Sequence, residues 1–96
     1  MVTLHIEHAI SDFETWSQAY SSAAPFRDAA GVRAARVTQP EDDPCYVVVQ
    51  LDFDTSHEAT EFRSFLETNI WAKRENSPGL AGTPRTMILE QATINA

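Results

Sequence analysis

A single cysteine, Cys45, excludes an internal disulfide, and its place at a strand start points to an inert core thiol. Three glycines in 96 residues leave no Gly-rich phosphate loop, and the chain has no nucleophile elbow and no Cys-x-x-Cys pair. His5, His8 and His57 have no second ligand type close by, whereas a zinc centre needs three or four convergent donors. No metal and no cofactor is therefore expected. Basic residues are scarce, with seven Lys and Arg against 14 Asp and Glu and a net charge of -7. No basic run exists, which argues against nucleic acid or an anionic membrane as partner. No stretch reads as a membrane span or a signal peptide, so a cytoplasmic location is the expectation. The length has no room for a second core, and residues 1–96 are read as one domain.

What is present is ordered. Val2, Leu4 and Ile6 alternate with Thr3, His5 and Glu7, the period-two pattern of a half-buried strand. Ser11-x-x-Glu14 reads as a capping box opening a helix, on which Phe13, Trp16, Tyr20 and Ala24 recur at helical spacing. Pro25 predicts a kink before the helix runs on to Ala30 and ends at Gly31. Val32 to Gln39 reads as a polar edge strand, and Pro40 to Pro44 as a turn. Cys45 to Phe53 is the strongest strand, with an apolar face of Cys45, Val47, Val49, Leu51 and Phe53. Thr55-x-x-Glu58 is a second capping box. Its helix places Ala59, Phe62, Leu66 and Ile70 on one side, with Phe65 next to it. Ser77 to Pro84 reads as a loop, Arg85 to Gln91 as the closing strand, and Thr93 to Ala96 as a frayed end. Right-handed crossovers turn this βαββαβ order into a ferredoxin-like α+β domain. It has a four-stranded antiparallel sheet, the first and third strands central, and both helices on one face.

The other face has to be accounted for. Alternation assigns it His5, Glu7, Tyr46, Val48, Gln50, Ile88 and Glu90. An RNA-stacking platform wants two or three strand aromatics and positive charge, and this face has one aromatic in an acidic chain. Pairing with a second copy buries Tyr46, Val48 and Ile88 and lets His5, Glu7 and Gln50 pair across a symmetric interface. A homodimer is the reading adopted.

The element order and the run His8-x-Ile10-x-Asp12-Phe13-x-x-Trp16 resemble the dimeric α/β-barrel superfamily, and within it the antibiotic-biosynthesis-monooxygenase-like domains. The resemblance spans roughly Thr3 to Glu90. It implies two sheets closing into a barrel across a dimer and a ligand pocket between each sheet and its helices. It also implies activities ranging from cofactor-free oxygenation of aromatic polyketides to isomerisation and haem degradation. Carried over, it makes His8 the candidate catalytic residue. Trp16 and Tyr20 become one pocket wall, Phe62, Phe65 and Trp71 the other, and Asn69 a polar group near the mouth. Such walls suit a hydrophobic or aromatic small molecule, and a neutral imidazole can take a proton from a phenol or an enol. The haem-degrading pattern is poorly met, because His5 or Glu7 stands where an asparagine belongs and the only second-helix histidine is His57.

Plainer roles compete. Aromatics at helical spacing are more often core than ligand box, and His8 can simply satisfy a backbone carbonyl at the strand end. Three functions stay open: a cofactor-independent oxygenase or isomerase, a non-catalytic binder of a hydrophobic molecule or haem, and a structural dimerisation module.

Overall fold

The computed structural model describes residues 1–94. Its sheet is antiparallel, in the order β2-β3-β1-β4, built from β1 (Val2–Ile10), β2 (Ala34–Thr38), β3 (Tyr46–Phe53) and β4 (Leu80–Glu90). The first and third strands are central, and the architecture is the expected ferredoxin-like α+β one. Helices α1 (Phe13–Ser22), α2 (Ala24–Ala30) and α3 (Ser56–Phe65) complete it, with a π-helical turn at Leu66–Ile70 and a 3-10 turn at Arg74–Asn76. Thr93 and Ile94 are exposed and carry no regular structure; the rest of the expected frayed end, Asn95 and Ala96, lies outside the described residues.

Period-two burial builds the core. Val2, Leu4, Ile6, His8 and Ile10 of β1 turn inward, as do Val47, Val49, Leu51 and Phe53 of β3. The register pairs them, Leu4 with Leu51 and Ile6 with Val49. Leu4, Val47, Leu51 and Phe53 are fully buried, each worth about 1.5–3 kcal/mol relative to an exposed side chain. Trp16, Ala59 and Phe62 close this layer from the helices. Pro25 does more than kink the first helix. It stands in the first turn of a separate helix, α2, where its missing N–H is no loss. That helix ends on Gly31, whose φ of 91° is the left-handed C-cap that glycine supplies without strain.

Several boundaries move from their expected places. Asp12, not Ser11, caps α1: its Oδ1 accepts from Thr15 N–H at 2.7 Å. Ser11 stays outside the helix, its N–H donating to Gly79 O at 2.8 Å. Thr55 caps α3 as expected, accepting from Glu58 N–H. Cys45 is exposed instead of core: it belongs to the turn before β3, with its carbonyl still accepting from Ile10 N–H at 2.9 Å. The segment Ser77–Pro84 is only partly a loop, since β4 begins at Leu80. Gly82 and Pro84 read as breakers, yet they form an irregularity in which Glu7 pairs with Arg85 while Ala9 pairs with Ala81. An edge strand tolerates proline at such a bulge.

The bulge shifts the register by two residues and so keeps its parity: on one side of it Leu4 pairs with Ile88 and His5 with Met87, on the other Ile10 with Leu80. Ile88 therefore lies on the helix side, packed against the core. The expectation that Ile88 and Glu90 share the helix-free face is corrected by one residue of parity, and Met87 and Leu89 take their place.

The relocated cap generates a stability prediction. Asp12→Ala should cost about 1 kcal/mol in urea unfolding, whereas Ser11→Ala should stay within about 0.5 kcal/mol. Equal losses would mean that the helix does not start on Asp12.

Candidate functional site

The inward alternation of β1 carries His8 into the apolar layer, where it is 5% exposed. It stands opposite the β1–β4 irregularity, and bulges of this kind commonly re-aim side chains at sites. Its Nδ1 lies 2.9 Å from Ala9 O. A carbonyl can only accept, so Nδ1 carries the proton and the neutral ring keeps its lone pair on Nε2. Burial pushes the pKa of His8 down from its ordinary 6.5, partly opposed by the bond to Ala9. His8 is thus held as a neutral base.

A cavity of about 110 Å³ opens against His8 between the sheet and the helices. One wall is a row of rings: Trp16 lies edge-on to His8 at 6.1 Å and stacks on Tyr20 at 5.1 Å. Phe62 and Phe65, stacked at 6.0 Å, form the opposite wall with Trp71. Two backbone features aim these rings. Gly79, at φ 84°, lies so close to Trp16 that an added Cβ would sit 2.9 Å from Trp16 N and Cα. The π-helical turn ends with Trp71 N–H donating to Leu66 O at 2.7 Å, and this wide turn rotates Ile70 and Trp71 onto the cavity.

The same turn removes Asn69 from the wall. It is exposed, and its carbonyl accepts from Asn76 Nδ2 at 2.8 Å. Asn76 lines the cavity in its place, together with Ser77 and Arg27. These three were not legible in the sequence. Asn76 and Ser77 follow an aperiodic segment, and Arg27 reaches the wall only because Pro25 starts a new helix. Arg27 sits 3.8 Å above the Tyr20 ring and donates from Nη1 to Tyr20 O at 2.7 Å. The Tyr20 hydroxyl is buried without a partner among the described residues, and burial raises its pKa.

The second-helix histidine is not placed to hold haem in this cavity. His57 is exposed at the start of α3, 3.7 Å from Glu61, and does not line the cavity. Among the described residues no group of His, Cys, Asp and Glu is arranged to hold a metal ion.

The helix-free face carries the remaining candidates in one network. Gln50 Nε2 donates to His5 Nδ1 at 3.2 Å, His5 Nε2 to Glu7 Oε2 at 2.8 Å, and the Tyr46 hydroxyl to Glu7 Oε1 at 2.9 Å. The bond from His5, then that from Tyr46, holds the Glu7 carboxyl below its ordinary value. Beside it Arg36 grips Asp52 with two bonds of 2.8 and 2.9 Å. That grip, helped by Thr3, lowers the Asp52 pKa to about 2. Val48 lies opposite Glu7 on the same face, and Met87 and Leu89 are 44% and 38% exposed there.

No protein-family model matches the sequence, and no curated protein matches it. Solved structures do. A protein of unknown function from Nitrosomonas europaea aligns with 99% of this chain and 94% of its own, at a TM-score of 0.64 and 16% identity. A candidate antibiotic biosynthesis monooxygenase from the same organism aligns over 97% of this chain and 100% of its own, at a TM-score of 0.58 and 14% identity. The fold is that of the antibiotic-biosynthesis-monooxygenase-like domains. The ActVA-Orf6 monooxygenase of Streptomyces coelicolor, solved with nanaomycin D, shares it over 99% of this chain and 92% of its own, at a TM-score of 0.61 and 15% identity. At these identities the likeness is one of fold.

Because burial depresses the His8 pKa, the unfolded chain binds its proton before the folded one does. The contribution of His8 to stability is complete above about pH 6.5 and falls as pH drops from there through the folded value. An NMR titration should find the His8 ring changing charge below 6.5 with Nδ1 protonated in the neutral form. A midpoint at or above 6.5, or an Nε2–H tautomer, would contradict this arrangement.

Proposed function

We propose that this chain is a small enzyme that binds a hydrophobic aromatic molecule between sheet and helices and uses His8 as a general base on it. The observation that carries the reading is a neutral buried imidazole with its Nε2 lone pair on the wall of an aromatic cavity. A base whose ordinary pKa lies near neutrality suits proton removal from a phenol, an enol or an activated C–H. Isomerisation follows if the proton returns to a different carbon. Oxygenation follows if the resulting anion reacts with O₂: a CH₂ beside a carbonyl becomes C=O, one oxygen atom enters the product, and the other leaves as water with the two hydrogens. No outside reductant enters that balance. The aromatic walls keep bulk water from the anion and strengthen its interactions with the fixed donors around it. A monooxygenase of the same fold, solved with nanaomycin D, supports an aromatic substrate.

The protein acts as a homodimer paired through the helix-free sheet face. Met87, Leu89, Val48 and Tyr46 supply the apolar area. The polar network of Gln50, His5, Glu7 and Tyr46 already satisfies its own members, so covering it leaves few stranded donors. A cytoplasmic location is part of this proposal; among the described residues no helix is long and apolar enough to cross a membrane.

Two experiments check these statements. With a turned-over aromatic substrate in air, His8→Ala should lower kcat by roughly 10²–10⁴ while circular dichroism and native mass stay unchanged. An unaltered rate would reduce the cavity to a binding site. In size-exclusion chromatography with light scattering the protein should run at twice its 10.7 kDa, and Leu89→Glu should return it to one copy. A monomeric parent protein would remove the dimer.

A further inference from the structure

The cavity carries one charge. The acidic side chains of this chain outnumber the basic ones by seven, yet none lines the cavity, and Arg27 is the sole ionised side chain on its wall. The salt bridges among the described residues use Arg33, Arg36, His5 and His57, not Arg27. Its guanidinium is held by stacking on the Tyr20 ring at 3.8 Å and by a single bond to a backbone carbonyl. A guanidinium has five N–H donors in a planar fork, so most of this one is left for something else. The ring beneath it bears a second unmet donor, the buried Tyr20 hydroxyl. A buried hydroxyl without a partner is destabilising, and an acceptor brought against Arg27 satisfies it once the ring turns to meet it.

These donors sit at one end of a row. His8 meets Trp16, Trp16 meets Tyr20, and Arg27 covers Tyr20. The row thus runs from a hydrogen-bond acceptor, His8 Nε2, to a pair of donors, one of them cationic. The cavity between measures about 110 Å³, less than the roughly 150 Å³ of an engineered apolar cavity that takes benzene. That comparison points to a small ligand, and because the cavity is open to solvent on one side a single ring can enter with its substituents toward the mouth.

We infer that the ligand is a single-ring aromatic carboxylate, its carboxylate set against Arg27 and the Tyr20 hydroxyl and its ring between Trp16 and the Phe62–Phe65 wall. A carboxylate has two acceptor oxygens for the two donor groups, and an Arg–carboxylate pair is among the stronger hydrogen-bonded contacts. The position opposite the carboxylate faces His8, so a hydroxyl or acidic C–H there meets the base. The inference rests on the proposed small-molecule role of this cavity and adds the ligand's charge and size.

The test is an NMR titration at pH 7 that follows the Trp16 indole and the Tyr20 ring with benzoate, benzamide and phenol. Phenol asks only for the cavity and His8, whereas benzamide keeps the shape of benzoate without its charge. Benzoate should bind at least tenfold tighter than benzamide. Arg27→Gln should bring the two to parity, and Arg27→Lys should keep a preference for the anion, with circular dichroism verifying that both variants are folded. Phenol binding with no preference for benzoate would overturn the carboxylate and leave the cavity's role standing. A benzoate preference that survives Arg27→Gln would overturn the assignment to Arg27. Failure of all three probes to bind would sink the cavity reading and this inference together.

Discussion

The strict inward alternation of β1 is the constraint on which the rest depends. Val2, Leu4, Ile6 and Ile10 anchor it to the core, and a strand's period of two leaves the position between Ile6 and Ile10 no choice of side. The residue there is a histidine, so an ionisable ring is carried into an apolar layer by the packing of its neighbours. Its placement has two consequences with one cause. Desolvation favours the neutral ring, and Ala9 O accepts a hydrogen bond from Nδ1–H, which fixes the proton there. The buried neutral imidazole is a product of strand geometry.

The irregularity in the β1–β4 ladder stands opposite that histidine. Three residues of β4, Gly82, Thr83 and Pro84, occupy the interval that β1 spans with His8 alone. A little earlier in the chain Gly79 lies against Trp16 at a distance only glycine allows, bringing the start of β4 onto the first turn of α1. The cavity opens where these two departures from regular structure meet the π-helical turn of Leu66–Ile70. Regular elements build the layers, and the irregular ones leave the space between them.

Charge is sorted in the same way. The outer face of the sheet satisfies its polar groups internally, Arg36 pairing with Asp52 and His5 donating to Glu7. The cavity holds one cation and no anion on its wall. The half-buried Arg27 has no carboxylate partner among the described residues, and the inferred anionic group would be received there.

Much of this was legible in the residues. The alternation of β1 and β3, the cap at Thr55 and the recurrence of Trp16 and Tyr20 follow from local periodicity and backbone chemistry. Those depend on neighbours a few positions away, and so do the element order and the ferredoxin-like fold. What failed to show were features set by contacts distant in sequence. Ile88 changes faces because β4 takes its parity from β1, some 80 positions earlier. Asn69 leaves the cavity because a wide turn adds a residue to the helix, and Cys45 belongs to the turn before β3 instead of the core. Arg27 sits seven positions after Tyr20 on a different helix, and their contact depends on how the two helices meet at Pro25. The sequence by itself determined the layers, the inward histidine and the aromatic walls, because each repeats with the period of its own backbone. Only the tertiary structure decided which polar groups share the cavity, because that depends on where separate elements end and meet.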